Sequence, residues 1–149
     1  MICLVVFLIL WILDSIVFRF STFLTHYIPF YTRWTATAAA FALAVCLIRN
    51  GHRLVPDEAS SAGGQLVKDG AFAHLRHPLY GGSLLVYLSL ILSSFSLLSL
   101  VIFGAIFLFY NAIATYEEKI LDKKFGREYR VYKQKVPKWI PQLKTYVGH

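Results

Sequence analysis

The sequence predicts an all-α fold: an integral-membrane helical bundle of about four transmembrane helices with a cytoplasmic C-terminal helical region. Of the 149 residues, 57% are apolar and 15% are charged, whereas a soluble domain carries about 25% charged residues. Apolar stretches of spanning or nearly spanning length recur along the chain. A chain this short cannot bury so much apolar surface in a globule. The composition excludes a soluble, disordered or collagen-like chain, and the length allows a single domain over residues 1–149.

The first span is predicted at about residues 1–18, which are apolar apart from Asp14 and Ser15. The segment has neither the basic n-region nor the small-residue cleavage site of a secretory signal, so we expect it to be retained. A carboxylate inside a span is either a residue near the interface or a functional polar group within the bundle. Both interpretations of Asp14 stay open.

The other three spans are predicted at about residues 30–48, 78–92 and 95–110. Only Ser93 and Ser94 separate the third apolar stretch from the fourth. One continuous helix over both would be too long for the bilayer, and each alone is somewhat short. We therefore expect a tight helical hairpin with a turn at the two serines.

The distribution of Lys and Arg predicts the orientation in the membrane. The loop 49–77 carries four basic residues and the segment 111–149 carries nine. With four spans these two segments lie on the same side, so 13 of the 15 basic residues are cytoplasmic. Both termini are then cytoplasmic, in the inner membrane of a bacterium or the endoplasmic reticulum of a eukaryote.

Residues 111–136 are predicted to form cytoplasmic helices that continue the last span. Apolar residues recur at three-to-four-residue spacing from Ile113 to Phe125, and Gly126 predicts a helix stop. The basic charge there is typical of a segment beside anionic lipids, and no nucleic-acid module is recognisable. Membrane lipids are therefore the expected partners, and nucleic acid is not. Cys3 and Cys46 make neither a disulfide framework nor a metal site.

Two clusters hold polar residues that a plain membrane anchor would not need. In the first, Pro78 stands where it can begin the third span, which places His77 at the helix cap, Arg76 at the interface and Tyr80 in the first turn. A helix N-terminus suits a carboxylate or an adenine acceptor. Interfacial anchoring by the same residue types is the alternative.

Glu117 and Glu118 form the second cluster. Adjacent carboxylates point about 100° apart on a helix, so we expect one of them to face inward and to need a cationic partner. Neither glutamate has a basic residue three or four positions further along the chain. By contrast, Glu128 with Lys124, and Asp122 with Lys119, can pair along the helix. A solvated helix face remains the alternative for the two glutamates.

Together, two blocks of sequence resemble the integral-membrane isoprenylcysteine carboxyl methyltransferases. The first runs from Leu66 to Tyr80 and contains Arg76-His77-Pro78-Leu79-Tyr80, and the second begins with Glu117-Glu118 and continues through Phe125-Gly126, Tyr129, Tyr132 and Pro137. Related phospholipid N-methyltransferases share this pattern more loosely. The resemblance covers roughly residues 64–141, and its motifs are specific in combination.

The resemblance implies an S-adenosylmethionine-dependent methyltransferase with its cofactor pocket on the cytoplasmic side. We assign no catalytic residue and predict no metal site. Phe72 stands where the family more often has Tyr, so a hydroxyl contact is missing there. The residues that the resemblance assigns to the cofactor are Gln65, Leu66, Val67, Phe72, His77, Pro78, Leu79, Tyr80, Glu117 and Glu118.

The implied acceptor is a lipophilic small molecule or a lipid-tailed substrate. The first hypothesis is in-line methylation of a carboxylate, which is already ionised and needs no general base; the alternative is a phospholipid or other lipid amine, which needs one. Ile113 stands where the isoprenylcysteine enzymes tend to carry an arginine thought to contact substrate, and this weakens the first hypothesis. Arg76 and Arg130 are the candidate acceptor-orienting residues, with Arg33 as a further substitute.

Two interpretations from other functional classes stay open. An intramembrane sterol-type reductase has a similar C-terminal part and binds a nicotinamide cofactor, but such chains are much longer. A noncatalytic four-span protein could have kept the same scaffold. The sequence does not predict the oligomeric state.

Overall fold

The computed structural model describes residues 2–52 and 66–142. Within these ranges the protein is all-α and has no strand, which confirms the predicted class. The α-helices are α1 (Ile2–Ile12), α2 (Phe30–His52), α3 (Pro78–Ser94), α4 (Leu97–Phe125) and α5 (Arg127–Lys135). A π-helical turn, Leu13–Phe18, extends α1, and short 3₁₀ turns cover Phe23–His26 and Gly70–Ala73.

Two of the described helices, α2 and α4, are long and apolar enough to cross a membrane. Two shorter apolar helices lie at Cys3–Phe18 and Pro78–Ser94. The apolar part of α4, residues 97–110, carries no charged residue, whereas all the charged residues of α4 lie at or beyond position 117. The four-span count and the orientation stay predictions.

The turn between α3 and α4 lies two residues later than predicted. Ser93 and Ser94 belong to α3, whose last backbone bond runs from the N–H of Phe95 to Ile91 O at 2.6 Å, and their hydroxyls donate to the backbone oxygen of Leu90 at 2.7 and 3.5 Å. The chain reverses instead at Phe95, with φ 48°, and Ser96. The Ser96 hydroxyl accepts the backbone N–H of Ser99 at 3.0 Å and caps α4.

The end of α2 differs from the prediction, whereas the end of α4 agrees with it. α2 runs to His52, beyond the predicted end at 48, and its last turn carries Arg49 and His52, which are favourable at a helix C-terminus. α4 continues past residue 110 to Phe125, as the spacing predicts. Gly126 ends it at φ 53° and ψ −119°, a conformation that L side chains rarely adopt.

The chain forms two compact units, and the first comprises Met1–Ala44 and Ser83–Asn111. Phe7 of α1 packs edge-on against Tyr87 of α3, with ring centroids 4.9 Å apart. Trp11 Nε1 donates to the backbone oxygen of Leu90 at 3.1 Å and to Ser94 Oγ at 2.9 Å. These contacts hold α1 along the C-terminal half of α3.

Asp14 lies buried in this first unit with 3% of its surface exposed. Its carboxylate accepts the backbone N–H of Ser21 at 3.0 Å and the hydroxyls of Ser21 and Ser96, both at 2.5 Å. The π-helical turn that carries Asp14 is thereby tied to the α3–α4 turn. Neither of the two interpretations from the sequence named this role, in which a buried carboxylate joins two turns of the fold.

The second unit comprises Val45–Gly82 and Ala112–His149. Its core is a cluster of Tyr129, Tyr132 and Val136, against which the partly buried Leu66, Leu121 and Phe125 pack. The Tyr132 hydroxyl donates to the backbone oxygen of Phe72 at 2.7 Å. The apolar face of α5 is therefore used within the unit, and the segment 66–75 is fixed to it.

Residues 137–142 form a strap that runs beside the segment 73–76. The backbone N–H of Arg76 donates to Pro137 O at 3.0 Å, and the N–H of Gln142 donates to His74 O at 3.2 Å. His74 Nδ1 lies 2.9 Å from Gln142 O, which adds a third link. The strap thus fixes the residues that lead into α3.

Candidate functional site

The site residues stand on three elements of the second unit. Pro78 begins α3 and is fully buried, and the N–H of Gly81 bonds His77 O at 2.9 Å, which closes the first helical turn. A Cβ on Gly81 would lie 2.9 Å from Leu75 Cδ2, so a larger residue here would require the buried Leu75 side chain to shift. The second and third elements are the end of α4, with the two glutamates, and the chain from α5 into the strap.

Glu118 lies at the centre of an ion-pair cluster, with 5% of its surface exposed. Arg76 Nη1 lies 2.7 Å from Glu118 Oε1 in a contact that is ionic rather than a well-aligned hydrogen bond. Lys133 Nζ lies 2.9 Å from Oε2, and His77 Nε2 lies 3.3 Å from Oε1. Glu118 is therefore the inward-facing glutamate, and its partners come from α5 and from the segment before α3.

The environment of Glu118 keeps its carboxylate ionised. Burial by itself would raise the pKa, but hydrogen bonds from His77 and Lys133 and the charges of Arg76 and Lys133 lower the pKa of Glu118 to about 2. A buried carboxylate with such partners acts as a fixed counter-charge.

Glu117 has a different environment from its neighbour. Its side chain is 42% exposed, and its Oε1 accepts the hydroxyl of Tyr80 in a short hydrogen bond. Its Oε2 lies 3.7 Å from His77 Nδ1. Glu117 makes no ion pair with a lysine or arginine among the described residues, so it is the carboxylate of the pair that can receive a cationic ligand.

His77 connects the two glutamates, because its two ring nitrogens face different carboxylates. The imidazole is buried and stacks on Tyr80 with the ring centroids 5.7 Å apart. Trp139 of the strap lies against the same imidazole at 6.1 Å. The cluster thus combines carboxylates with aromatic faces, a combination that suits a positively charged organic group.

The other residues assigned to the cofactor lie in different surroundings within the second unit. Leu66 packs against the core under α5, and Leu79 packs against Gly51, where a Cβ would lie 2.9 Å from Leu79 Cδ2. Phe72 is partly buried and accepts Tyr132 through its backbone oxygen. Val67 is partly buried. Gln65 lies outside the described residues.

The two acceptor-orienting candidates in this unit differ sharply. Arg76 has 11% of its side chain exposed and is paired with Glu118. Arg130 has 68% exposed and pairs with Asp122 at 2.9 Å. The pairings predicted along the helix are wrong, because Glu128 pairs with Lys68 at 2.7 Å instead. The break at Gly126 separates Lys124 from Glu128, so helical spacing does not apply to them.

Lys133, Lys138 and Trp139 belong to the cluster but were not assigned from the sequence. Lys133 pairs with Glu118, Trp139 contacts His77, and Lys138 Nζ donates to Thr115 Oγ1 on α4 at 2.8 Å. One signal could have found the last two. Pro137 and Pro141 bracket them, and two prolines at that spacing favour an extended segment over a helix.

One comparison with known proteins identifies a family for this chain. A family model described as phospholipid methyltransferase matches residues 33–128, well over half of the chain. The matched range includes His77, Tyr80 and both glutamates, and it confirms the resemblance to the membrane methyltransferases. No curated protein and no solved structure matches the chain. The chain belongs to the phospholipid methyltransferase family, and this membership implies methyltransferase activity on a lipid.

Proposed function

We propose that the protein transfers a methyl group from S-adenosylmethionine to the amine of a phospholipid at the membrane surface. The observation that carries the proposal is Glu117, a half-exposed carboxylate held by Tyr80 beside His77. It stands next to a second carboxylate whose charge is already compensated. Family membership supports a lipid acceptor.

The residues around Glu117 fit the methyl donor. S-adenosylmethionine, when bound, supplies a methyl group on a positively charged sulfur. Glu117 offers a carboxylate to an ammonium or a ribose diol, and the stacked rings of His77 and Tyr80 offer aromatic faces to a cation.

In the methyl transfer, the protein aligns donor and acceptor and removes a proton from the acceptor amine. An in-line displacement gains chiefly from holding donor and acceptor in position and from excluding water. An ammonium has no lone pair, so the acceptor must first lose a proton. Glu117 and His77 are the groups of this cluster that can take it, because Glu118 is held ionised by Arg76 and Lys133.

A second candidate is O-methylation of an isoprenylcysteine carboxylate. The motifs that begin at Arg76 and Glu117 favour it by resemblance. Ile113, in place of the arginine of those enzymes, favours the amine instead. Methylation of a carboxylate releases no proton, so Glu117 and His77 would not be needed as proton acceptors.

Calorimetry in dodecylmaltoside tests the methyl donor. We expect S-adenosylmethionine to bind and NADPH not to bind, and Glu117→Gln to weaken the binding by roughly tenfold through loss of a charge-assisted contact. Glu128→Gln is the matched control, because Glu128 is an exposed glutamate paired with Lys68. Equal affinities of the wild type and Glu117→Gln would contradict the assignment of Glu117.

Incubation with methyl-labelled S-adenosylmethionine identifies the acceptor. Phosphatidylethanolamine and a farnesylcysteine analogue are supplied separately, and the lipid product is extracted. Label that survives base treatment indicates N-methylation, whereas label released by base indicates an ester. Base-labile label with the farnesylcysteine analogue alone would replace the first candidate by the second.

A further inference from the structure

Three basic side chains of the second unit lie around one buried carboxylate. Arg76 Nη1 and Lys133 Nζ approach different oxygens of Glu118, at 2.7 and 2.9 Å. Lys138 is close enough for its charge to interact with all three of these residues. Glu118 supplies one negative charge against three positive ones, so the group has an excess of positive charge.

Lys138 is positioned over the same face of α4 as Lys133. Its ammonium donates to Thr115 Oγ1 at 2.8 Å, and Thr115 lies about one helical turn before Glu118. Burial lowers the pKa of Lys138; Glu118 opposes this shift, and Arg76 and Lys133 add to it. A lysine whose charge is disfavoured in this way gains from a bound anion.

The two lysines and the arginine differ in accessibility. The side chain of Lys133 is 48% exposed, whereas that of Arg76 is almost buried. An anion that approaches from solvent or from the lipid headgroups therefore meets the lysines first, with Arg76 behind them. Lysine ammoniums are common phosphate ligands that act as point charges.

We propose that Lys133 and Lys138, with Arg76, bind the phosphate of the acceptor phospholipid. This inference rests on the proposed function, since it assigns the phosphate end of the same acceptor. The carboxylate of the methyl donor is the other anion that fits such a group. The two sources are separated by measuring donor and acceptor affinities in the same variants.

The experiment compares the wild type with Lys138→Gln, Lys133→Gln and Lys138→Arg in dodecylmaltoside, a detergent without phosphate. The KM is measured for phosphatidylethanolamine and for sphingosine, an amine lipid that has no phosphate. We expect each Gln variant to raise the KM for phosphatidylethanolamine roughly tenfold, the usual effect of losing one contact to a charged group. The KM for sphingosine and the Kd for S-adenosylmethionine stay within about twofold. Lys138→Arg, which keeps the positive charge, raises the KM for phosphatidylethanolamine less than Lys138→Gln does.

Lys123→Gln is the matched control. It removes one positive charge from an exposed position on α4, so it reports the general effect of surface charge on lipid binding. Thermal unfolding of each variant shows whether it is folded. Lys138→Gln keeps a polar side chain that can still hydrogen-bond the exposed Thr115, so we expect it to disturb the fold least.

The outcomes separate the alternatives. A weaker Kd for S-adenosylmethionine with an unchanged KM for phosphatidylethanolamine would give the subsite to the methyl donor and overturn the proposal. An equal rise of KM for both lipids, or no rise, would also overturn it. If the wild type methylates no lipid, the proposed function fails, and calorimetry with dihexanoyl-phosphatidylethanolamine still tests the phosphate site through the same variants.

Discussion

Asp14 in the first unit and Glu118 in the second are equally buried carboxylates with opposite surroundings. Asp14 is 3% exposed and Glu118 is 5% exposed. Among the residues that the structure describes, Asp14 accepts from the amide of Ser21 and from the hydroxyls of Ser21 and Ser96. Glu118 is held by an arginine, a lysine and a histidine. Burial alone therefore does not say what a carboxylate does.

The two sites differ in the charge of the hydrogen-bond donors that would lose their partner if the carboxylate were removed. The donors around Asp14 are neutral, and hydroxyls can turn to other partners. Arg76 and Lys133 are charged, so removal of Glu118 leaves the nearly buried guanidinium of Arg76 without its counter-charge. A buried carboxylate that is hydrogen-bonded by neutral groups stabilises the fold. A buried carboxylate that is paired with charged groups also creates a local electrostatic field that can attract a ligand.

The largest expected effect is that of Glu118→Gln, which keeps the shape and removes the charge. Arg76 and Lys133 lose their counter-charge, and we expect the unfolding free energy to fall by about 3 kcal/mol, as for other broken buried pairs. Thermal unfolding in dodecylmaltoside measures it. Asp122→Asn is the control, because Asp122 is an exposed member of a pair and should cost far less. Equal losses for the two variants would remove the distinction between buried and exposed carboxylates.

Acid should weaken the second unit through Glu118. Its pKa in the folded protein is about 2, below the usual value of 4.5, so its contribution is present in full above pH 4.5 and is lost as the pH falls towards 2. At pH 3 we expect about 2 kcal/mol less stabilisation from this group than at pH 6. The measurement is the difference in unfolding midpoint between wild type and Glu118→Gln across this range. A difference that does not shrink as the pH falls would speak against a lowered pKa.

Asp14→Asn should have a smaller effect than Glu118→Gln. The asparagine keeps one acceptor oxygen, and its amide can donate to a serine hydroxyl that turns to accept. We expect a loss of about 1 kcal/mol, read from thermal unfolding. Ser15→Ala is the neighbouring control: the Ser15 hydroxyl is buried with no hydrogen-bond partner among the described residues, so its removal should be neutral or slightly stabilising. A loss of stability as large as that of Glu118→Gln would contradict the view that neutral hydrogen-bond donors are easily satisfied elsewhere when the Asp14 charge is removed.

The smallest effect is expected at the exposed pair of Lys68 and Glu128, although its atoms are only 2.7 Å apart. Exposed ion pairs contribute about 0.5 kcal/mol or less. Lys68→Gln should therefore leave the unfolding midpoint nearly unchanged, and salt should weaken the pair further. A large change would mean that Lys68 holds the segment before α3 in place.

The parts of the fold that the sequence predicted correctly depend on local chemistry. Pro78 begins α3 because its missing N–H is not needed there, and Gly126 ends α4 because its backbone conformation excludes other residues. The turn between α3 and α4 was misplaced for an equally local reason. A helix can accommodate serines whose hydroxyls donate to its own carbonyls, and composition does not distinguish such serines from those of a turn.

The site could be predicted only in part, because its partners are distant in sequence. Spacing predicted that one glutamate of the pair would face inward, but identifying Glu118 required Arg76 and Lys133, which lie far before and after it. The position of Lys133 depends on the helix break at Gly126 and on the packing of α5. No pattern of three- or four-residue spacing carries that information.

The contact of Trp139 with His77 gives the protein an optical reporter. The chain has three tryptophans, and the other two, Trp11 and Trp34, belong to the first unit. Replacing those two by phenylalanine would leave a single indole whose emission depends on what happens beside the imidazole. Donor and acceptor could then be titrated separately by fluorescence, without any isotope, in the same detergent solution.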